Sequence, residues 1–291
     1  MMWLRLAALV IGAAALSGAA PGDKKIELLG IPIGADLASA ESILAARGYS
    51  RQTRANYCDN GRFCEAPITI ENLPGTRFVS ALHGWRDQPG KEESFNFHLT
   101  APPGEARVWS AGLEQRFGDW FQPSAAAPLA SDILAEVRTR YGRSTYESGN
   151  LTDPSNRGSS LSMVWVWDSN GGLYRYPDLS RSRWPKGLLE TRDNCQTAFA
   201  KAAVPPGKGT GGGTGNAAAI NPEPFLLARK GNCALMMEAE LSQTRGKLHR
   251  LHIRIVDFRA GHDALFHTTR LVSEERGRAD AQRSRSNQPD F

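Results

Sequence analysis

LASDILAEVRTRYGRS, residues 129–144, is the stretch that decides how this chain is built. Ile133, Leu134, Val137 and Tyr141 fall on a single stripe when the segment is wound as an α-helix. Ser131 stands where an N-cap is expected, and Gly142 follows the last apolar residue as a C-cap does. The phrase occurs earlier as LASAESILAARGYSR, residues 37–51, with the same Leu-Ala-Ser entry and a Gly/Tyr exit. Strand-like sequence follows both helices. The chain therefore reads as an α+β protein of two helix-on-antiparallel-sheet modules related by a weak internal repeat.

Upstream of the second helix, residues 25–33 predict a first strand, residues 36–47 the first helix, and residues 51–57, 67–72, 77–85 and 94–100 further strands. The last is the clearest, because Phe95, Phe97 and Leu99 alternate with Asn96, His98 and Thr100. Residues 105–117 fit a strand after the Pro-Pro-Gly turn, with a helix as the alternative. Downstream, LSMVWVWD at 161–168 is apolar on both faces and predicts a central strand in which Trp165 and Trp167 either pack in the core or offer a stacking surface. Residues 174–192, basic, aromatic and broken by prolines, read as an irregular loop. Residues 233–241 and 247–257 form a hairpin, and residues 262–275 a last short helix.

These elements divide the chain into a signal peptide at 1–19, a first module at 20–122, a second at 123–276 with a Gly-rich insert at 205–216, and a disordered tail at 277–291. The signal peptide rests on Arg5, the apolar run from Leu6 to Leu16, and the small residues Ser17-Gly18-Ala19 before the cleavage point. The rival, a membrane anchor, needs about 20 apolar residues, and the run is shorter. Cleavage after Ala19 removes one positive charge, Arg5, so the formal net charge of +5 falls to +4. The mature chain has no transmembrane segment, and its mild positive charge permits an anionic partner without demanding one.

The 4 Cys all follow the signal. In an exported chain an even count predicts disulfides. Asn60-Gly61 makes a tight turn between Cys58 and Cys64, so these two pair, and Cys195 pairs with Cys233 by elimination. The second bond holds the flanks of the Gly-rich insert and contributes about 3–4 kcal/mol in the chain-entropy picture. A zinc site is the rival reading, but neither spacing matches a common zinc pattern.

The catalytic motifs fail one by one. Gly207-Lys208-Gly209 has Ala202 where a phosphate-binding loop needs its first Gly. His249 and His252 would face opposite sides of a strand and cannot share a metal. There is no Gly-x-Ser-x-Gly and no His-Glu-x-x-His. No catalytic residue, cofactor or metal is therefore assigned. What remains is a candidate contact segment of Tyr174, Arg175, Tyr176, Arg181, Arg183, Trp184 and Lys186, which mixes stacking faces with cations. An exported protein seldom meets nucleic acid, so an anionic or glycan-bearing envelope component is the expected partner. The competing reading is a surface loop that covers the sheet edge.

Gly30-Ile-Pro-Ile-Gly34, a short helix ending in Gly48-Tyr49, a second ending in Tyr141-Gly142, Trp165-Val-Trp-Asp168 and a late Cys pair together resemble uncharacterised exported proteins of proteobacteria. The resemblance implies a periplasmic address and an α+β fold, and it carries over no catalytic residue. The expected function is that of a periplasmic binding or envelope-associated module without catalysis, the alternative being a cofactor-free periplasmic hydrolase.

Overall fold

A computed structural model describes residues 26–52, 58–69, 77–102, 104–118, 122–151, 158–175, 185–202 and 222–286. The signal peptide and the Gly-rich insert lie outside these residues. The chain is α+β, and the described residues form five helices and a nine-stranded mixed sheet.

The first expected strand is instead a tight hairpin, β1 (Glu27–Leu28) and β2 (Ile31–Pro32), turning through Leu29 and Gly30, both at positive φ. Helix α1 (Leu37–Ala46) is capped by Asp36, whose Oδ1 accepts from Ser39 N at 2.7 Å. The chain then crosses β3 (Ser50–Gln52), β4 (Arg62–Thr69), β5 (Arg77–Gln88), β6 (Lys91–Leu99) and β7 (Val108–Arg116). The segment at 105–117 is therefore a strand, as the Pro-Pro-Gly turn predicts. Helix α2 (Ala130–Tyr141) starts one residue before Ser131, so Leu129 occupies the N-cap without a side-chain bond, while Gly142 ends the helix as expected. Next come β8 (Tyr146–Gly149), β9 (Ser159–Asp168), α3 (Lys186–Ala202), α4 (Glu223–Lys230), β10 (Cys233–Thr244), β11 (Lys247–Asp257) and α5 (Phe258–Ser286).

Three differences from the sequence reading stand out. Residues 186–192, the last part of the expected loop at 174–192, are the first two turns of α3, and α4 follows before the hairpin. Helix α5 begins at Phe258 and runs past Gly277 to Ser286, where a short helix and a disordered tail were expected. Its charged half is held by i,i+3 and i,i+4 pairs such as Arg270 with Glu274 at 2.8 Å and Arg283 with Asp280 at 2.5 Å.

The strand order is β3-β4-β5-β6-β7-β11-β10-β9-β8. The two halves of the chain thus join in one sheet across the antiparallel pair β7 and β11. The helices α1 and α2 each lead into a short strand, and these two strands, β3 and β8, are the opposite edges. Among the described residues only β3 pairs in parallel, with β4.

Alternation assigns every central strand two unlike faces. One carries Phe95, Phe97, Leu113, Met163, Trp165, Ala239, Leu241, Ile253 and Ile255, which join α1 and α2 in the larger core. Trp165 is fully buried, donates from Nε1 to Gly142 O at 3.3 Å and meets Tyr141 edge-on, so the core reading of this strand holds. Gly84 is required where β5 passes under Phe95, because a Cβ there would stand 2.6 Å from the ring. The opposite face builds a smaller core of Val164, Val166, Met236 and Val256 under α3, α4 and the start of α5. Both expected disulfides are present, Cys58 with Cys64 and Cys195 with Cys233, with Cα separations of 5.7 and 5.9 Å. The second ties α3, before the insert, to β10, after it.

Candidate functional site

Nine strands about 4.8 Å apart span about 38 Å, whereas one helix with its side chains is about 10–12 Å across. Two helices cannot cover that width. α1 lies toward β3 and α2 toward β10, and the middle of the sheet between them is left as a cavity of about 900 Å³. Its apolar wall is made by Leu113 on β7 and Phe117 just past it, Leu251 and Ile253 on β11, and Ile133 and Val137 on α2. These side chains show how open it is: Leu113, Val137, Leu251 and Ile253 keep 5–8% exposure, whereas Phe97 and Ile255 on the same face keep none.

Ionic groups gather at the border. Arg140 of α2 pairs with Glu27 of β1, and the Tyr141 hydroxyl donates to Glu27 O at 3.1 Å, so the hairpin is fastened to α2 across the cavity. Toward the β5–β6 turn, Glu93 points to the same face as Phe95. Its carboxylate accepts from Tyr49 Oη at 2.7 Å, from Gln115 Nε2 at 2.6 Å and from Lys91 Nζ at 3.0 Å. Burial acts to raise the Glu93 pKa, but the Lys91 charge and these three donors outweigh it and hold the group below the ordinary carboxylate range. The Tyr49 phenol is pushed up by burial and by the Glu93 charge, so it stays a donor. Lys91 and Arg140 are thus already neutralised. Arg47, just past α1, also lines the cavity and has no carboxylate within ion-pair distance among the described residues. The described lining residues include no Ser, Cys or His.

A second, polar recess of about 630 Å³ shares Gly90 and Lys91 with the first and extends past Arg116 to His249 and Arg250. It leads to the opposite sheet face. There Glu114, 6% exposed, accepts from Arg116 and lies 3.2 Å from Arg250 Nε, while Glu238 pairs with Arg254 and accepts from Ser162 Oγ at 2.9 Å. His252 sits in this charged row with its pKa lowered to about 4 by burial and by the flanking Arg250 and Arg254. It is opposite Glu114 in the ladder, and its Nε2 has no hydrogen-bond partner among the described residues.

The contact segment of the sequence reading is only partly within view. Tyr174 packs against the smaller core and its hydroxyl donates to Gly231 O and Asn232 O, both at 3.4 Å; Arg175 donates to Arg143 O at 3.3 Å. Both side chains are engaged with this protein's own backbone. Lys186 is the exposed first residue of α3. Tyr176, Arg181, Arg183 and Trp184 lie outside the described residues.

Sequence reasoning missed the cavity residues, yet one signal was there. Period-two alternation puts Glu93 with Phe95 and Phe97, and Gln115 with Leu113, so two polar groups stand on an apolar face. The site belongs to the class of apolar, ligand-sized pockets with a few convergent polar groups. No family model matches this sequence, and neither a curated protein nor a solved structure matches it.

Proposed function

We propose that the protein is a periplasmic binding module whose cavity takes a small amphipathic molecule, with an apolar chain against the sheet and an anionic head near Arg47. The observation that carries this reading is the apolar cavity of about 900 Å³ at the junction of the two halves, within the range of roughly 300–1,000 Å³ typical of ligand pockets. Arg47 supports an anion because it is the lining cation without a carboxylate partner among the described residues, whereas Lys91 and Arg140 are paired. An export address is supported by two disulfides, which persist in oxidising compartments. The internal repeat fits the same scheme: each copy contributes a helix and one edge of the sheet, and the ligand lies where the copies meet. This reading assigns recognition to the cavity and leaves residues 174–186 outside it.

Titration with a fluorescent alkyl carboxylate, displaced by straight-chain carboxylates and by the matching alcohols, tests it. Saturable binding of one probe per chain is expected, lost at least tenfold in Leu113→Trp, which fills the cavity. Arg47→Ala should weaken the carboxylate about two- to fivefold, as expected for one exposed charge contact, and leave the alcohol unchanged. No saturable binding, or equal binding by the filled variant, overturns the reading.

A further inference from the structure

Cys58 and Cys64 do not stand alone. His83 on β5 is the ladder partner of Cys64 on β4, and one ligand atom from each of Cys58, Cys64 and His83 lies within 4.8 Å of the others. All three residues are buried, at 4%, 3% and 8% exposure. Two thiolates on a tetrahedral zinc with bonds of about 2.3 Å sit about 3.8 Å apart. That separation needs only a side-chain rotation once the sulfurs are unlinked.

The loop that carries Cys58 is also tied to β5 by hydrogen bonds that do not involve sulfur. Trp85 Nε1 donates to Cys58 O at 2.6 Å, Gly61 N donates to Trp85 O at 2.9 Å, and Asp87 N donates to Asn60 Oδ1 at 2.8 Å. These three bonds tie residues 58–61 to β5, the strand that carries His83, independently of the S–S link.

We propose that Cys58, Cys64 and His83 form a zinc site in the reduced chain, so that disulfide and metal are alternative occupants of one position. A thiol reductant opens the bond by exchange: two R–SH give one R–S–S–R, and Cys58 and Cys64 take up the two protons as thiols. Zn²⁺ then displaces those protons and binds both thiolates and the imidazole, leaving the fourth position to water. The two states are mutually exclusive: in the reverse exchange one R–S–S–R takes two electrons from the pair of thiolates and leaves as two thiols or thiolates, the remaining electron pair becomes the Cys58–Cys64 bond, and the metal is released.

The test uses the full chain with Cys195→Ser and Cys233→Ser, so that the other pair cannot contribute. Reduced with a phosphine and titrated with Co²⁺, it should give tetrahedral d–d bands and a thiolate-to-cobalt charge-transfer band that saturate at one equivalent and disappear on adding Zn²⁺. The oxidised protein should give neither band. His83→Gln, checked for folding by circular dichroism in the oxidised form, should bind at least tenfold more weakly; His83→Ala serves if the Gln variant misfolds. Zn²⁺ should also protect Cys58 and Cys64 from alkylation in the reduced parent chain. Absence of the bands, equal cobalt affinity without His83, or unprotected thiols would each overturn the proposal.

Discussion

The two faces of β6, β7 and β11 are made from alternate residues of the same strands, yet they solve burial in opposite ways. On one face Leu113, Leu251 and Ile253 meet helices too narrow to cover them, and the surplus area becomes a cavity. On the other, Glu114 and Arg254 lie in the ladder rows between them and are stabilised by pairing, Glu114 with Arg250 and Arg116, Arg254 with Glu238. An apolar face tolerates empty space because its groups need no particular partner. A polar face does not, since each charge taken from water costs several kcal/mol unless it is matched.

That contrast can be broken from the apolar side first. Trp165→Ala removes a fully buried indole and its bond to Gly142, and should cost about 3–5 kcal/mol in urea denaturation. Next is acid. His98, by burial, and His252, by burial and the nearby arginines, both have pKa values of about 4 against an ordinary 6.5. The unfolded chain therefore binds more protons in that window, so stability is fully present above 6.5 and falls as the pH drops toward 4. The loss is on the order of 3 kcal/mol per histidine at most. Glu93, held low, adds to it in the same direction at still lower pH. Urea midpoints at pH 7 and 5 should differ accordingly, and His252→Gln should flatten the difference.

Leu251→Ala sharpens the comparison from the opposite end. Leu251 already borders open space at 8% exposure, so its loss enlarges an existing cavity. The cost should be about 1–2 kcal/mol, below the usual range for a core leucine. A cost equal to that of Trp165→Ala would mean that the cavity is closed in solution.

Much of this was legible locally. The alternation of Phe95, Phe97 and Leu99 and the apolar run from Leu161 to Trp167 predicted strands that the fold contains. The turn at Asn60-Gly61 predicted the first disulfide, and the second followed. Helix α3 was missed because the prolines and aromatics before Lys186 masked its start. Its buried residues Cys195, Ala198, Phe199 and Ala202 do recur at helical spacing. Helix α5 outran its predicted end because its second half is held by ion pairs, which leave no apolar stripe. The cavity left only a faint trace in the sequence, the polar Glu93 and Gln115 on an otherwise apolar face. Leu113, Phe117, Leu251 and Ile253 read as ordinary core, and only the width of the assembled sheet against two helices leaves them partly uncovered. The cysteine pair in turn gave no hint of His83, which is 19 residues from Cys64 in sequence and meets it only through strand pairing.

The edges of the sheet carry one more consequence. A nine-stranded sheet with long unpaired borders would recruit further chains through open backbone amides. Among the described residues the borders are β3 and β8, spanning 3 and 4 residues. Arg51 on the first is tied to Glu65 and Glu41, and Glu147 on the second to Arg138. The longest strands, β5 and β10 at 12 residues each, are paired on both sides. Placing its shortest strands outermost gives the protein two blunt, charged rims, poor templates for growth into fibrils or stacked sheets.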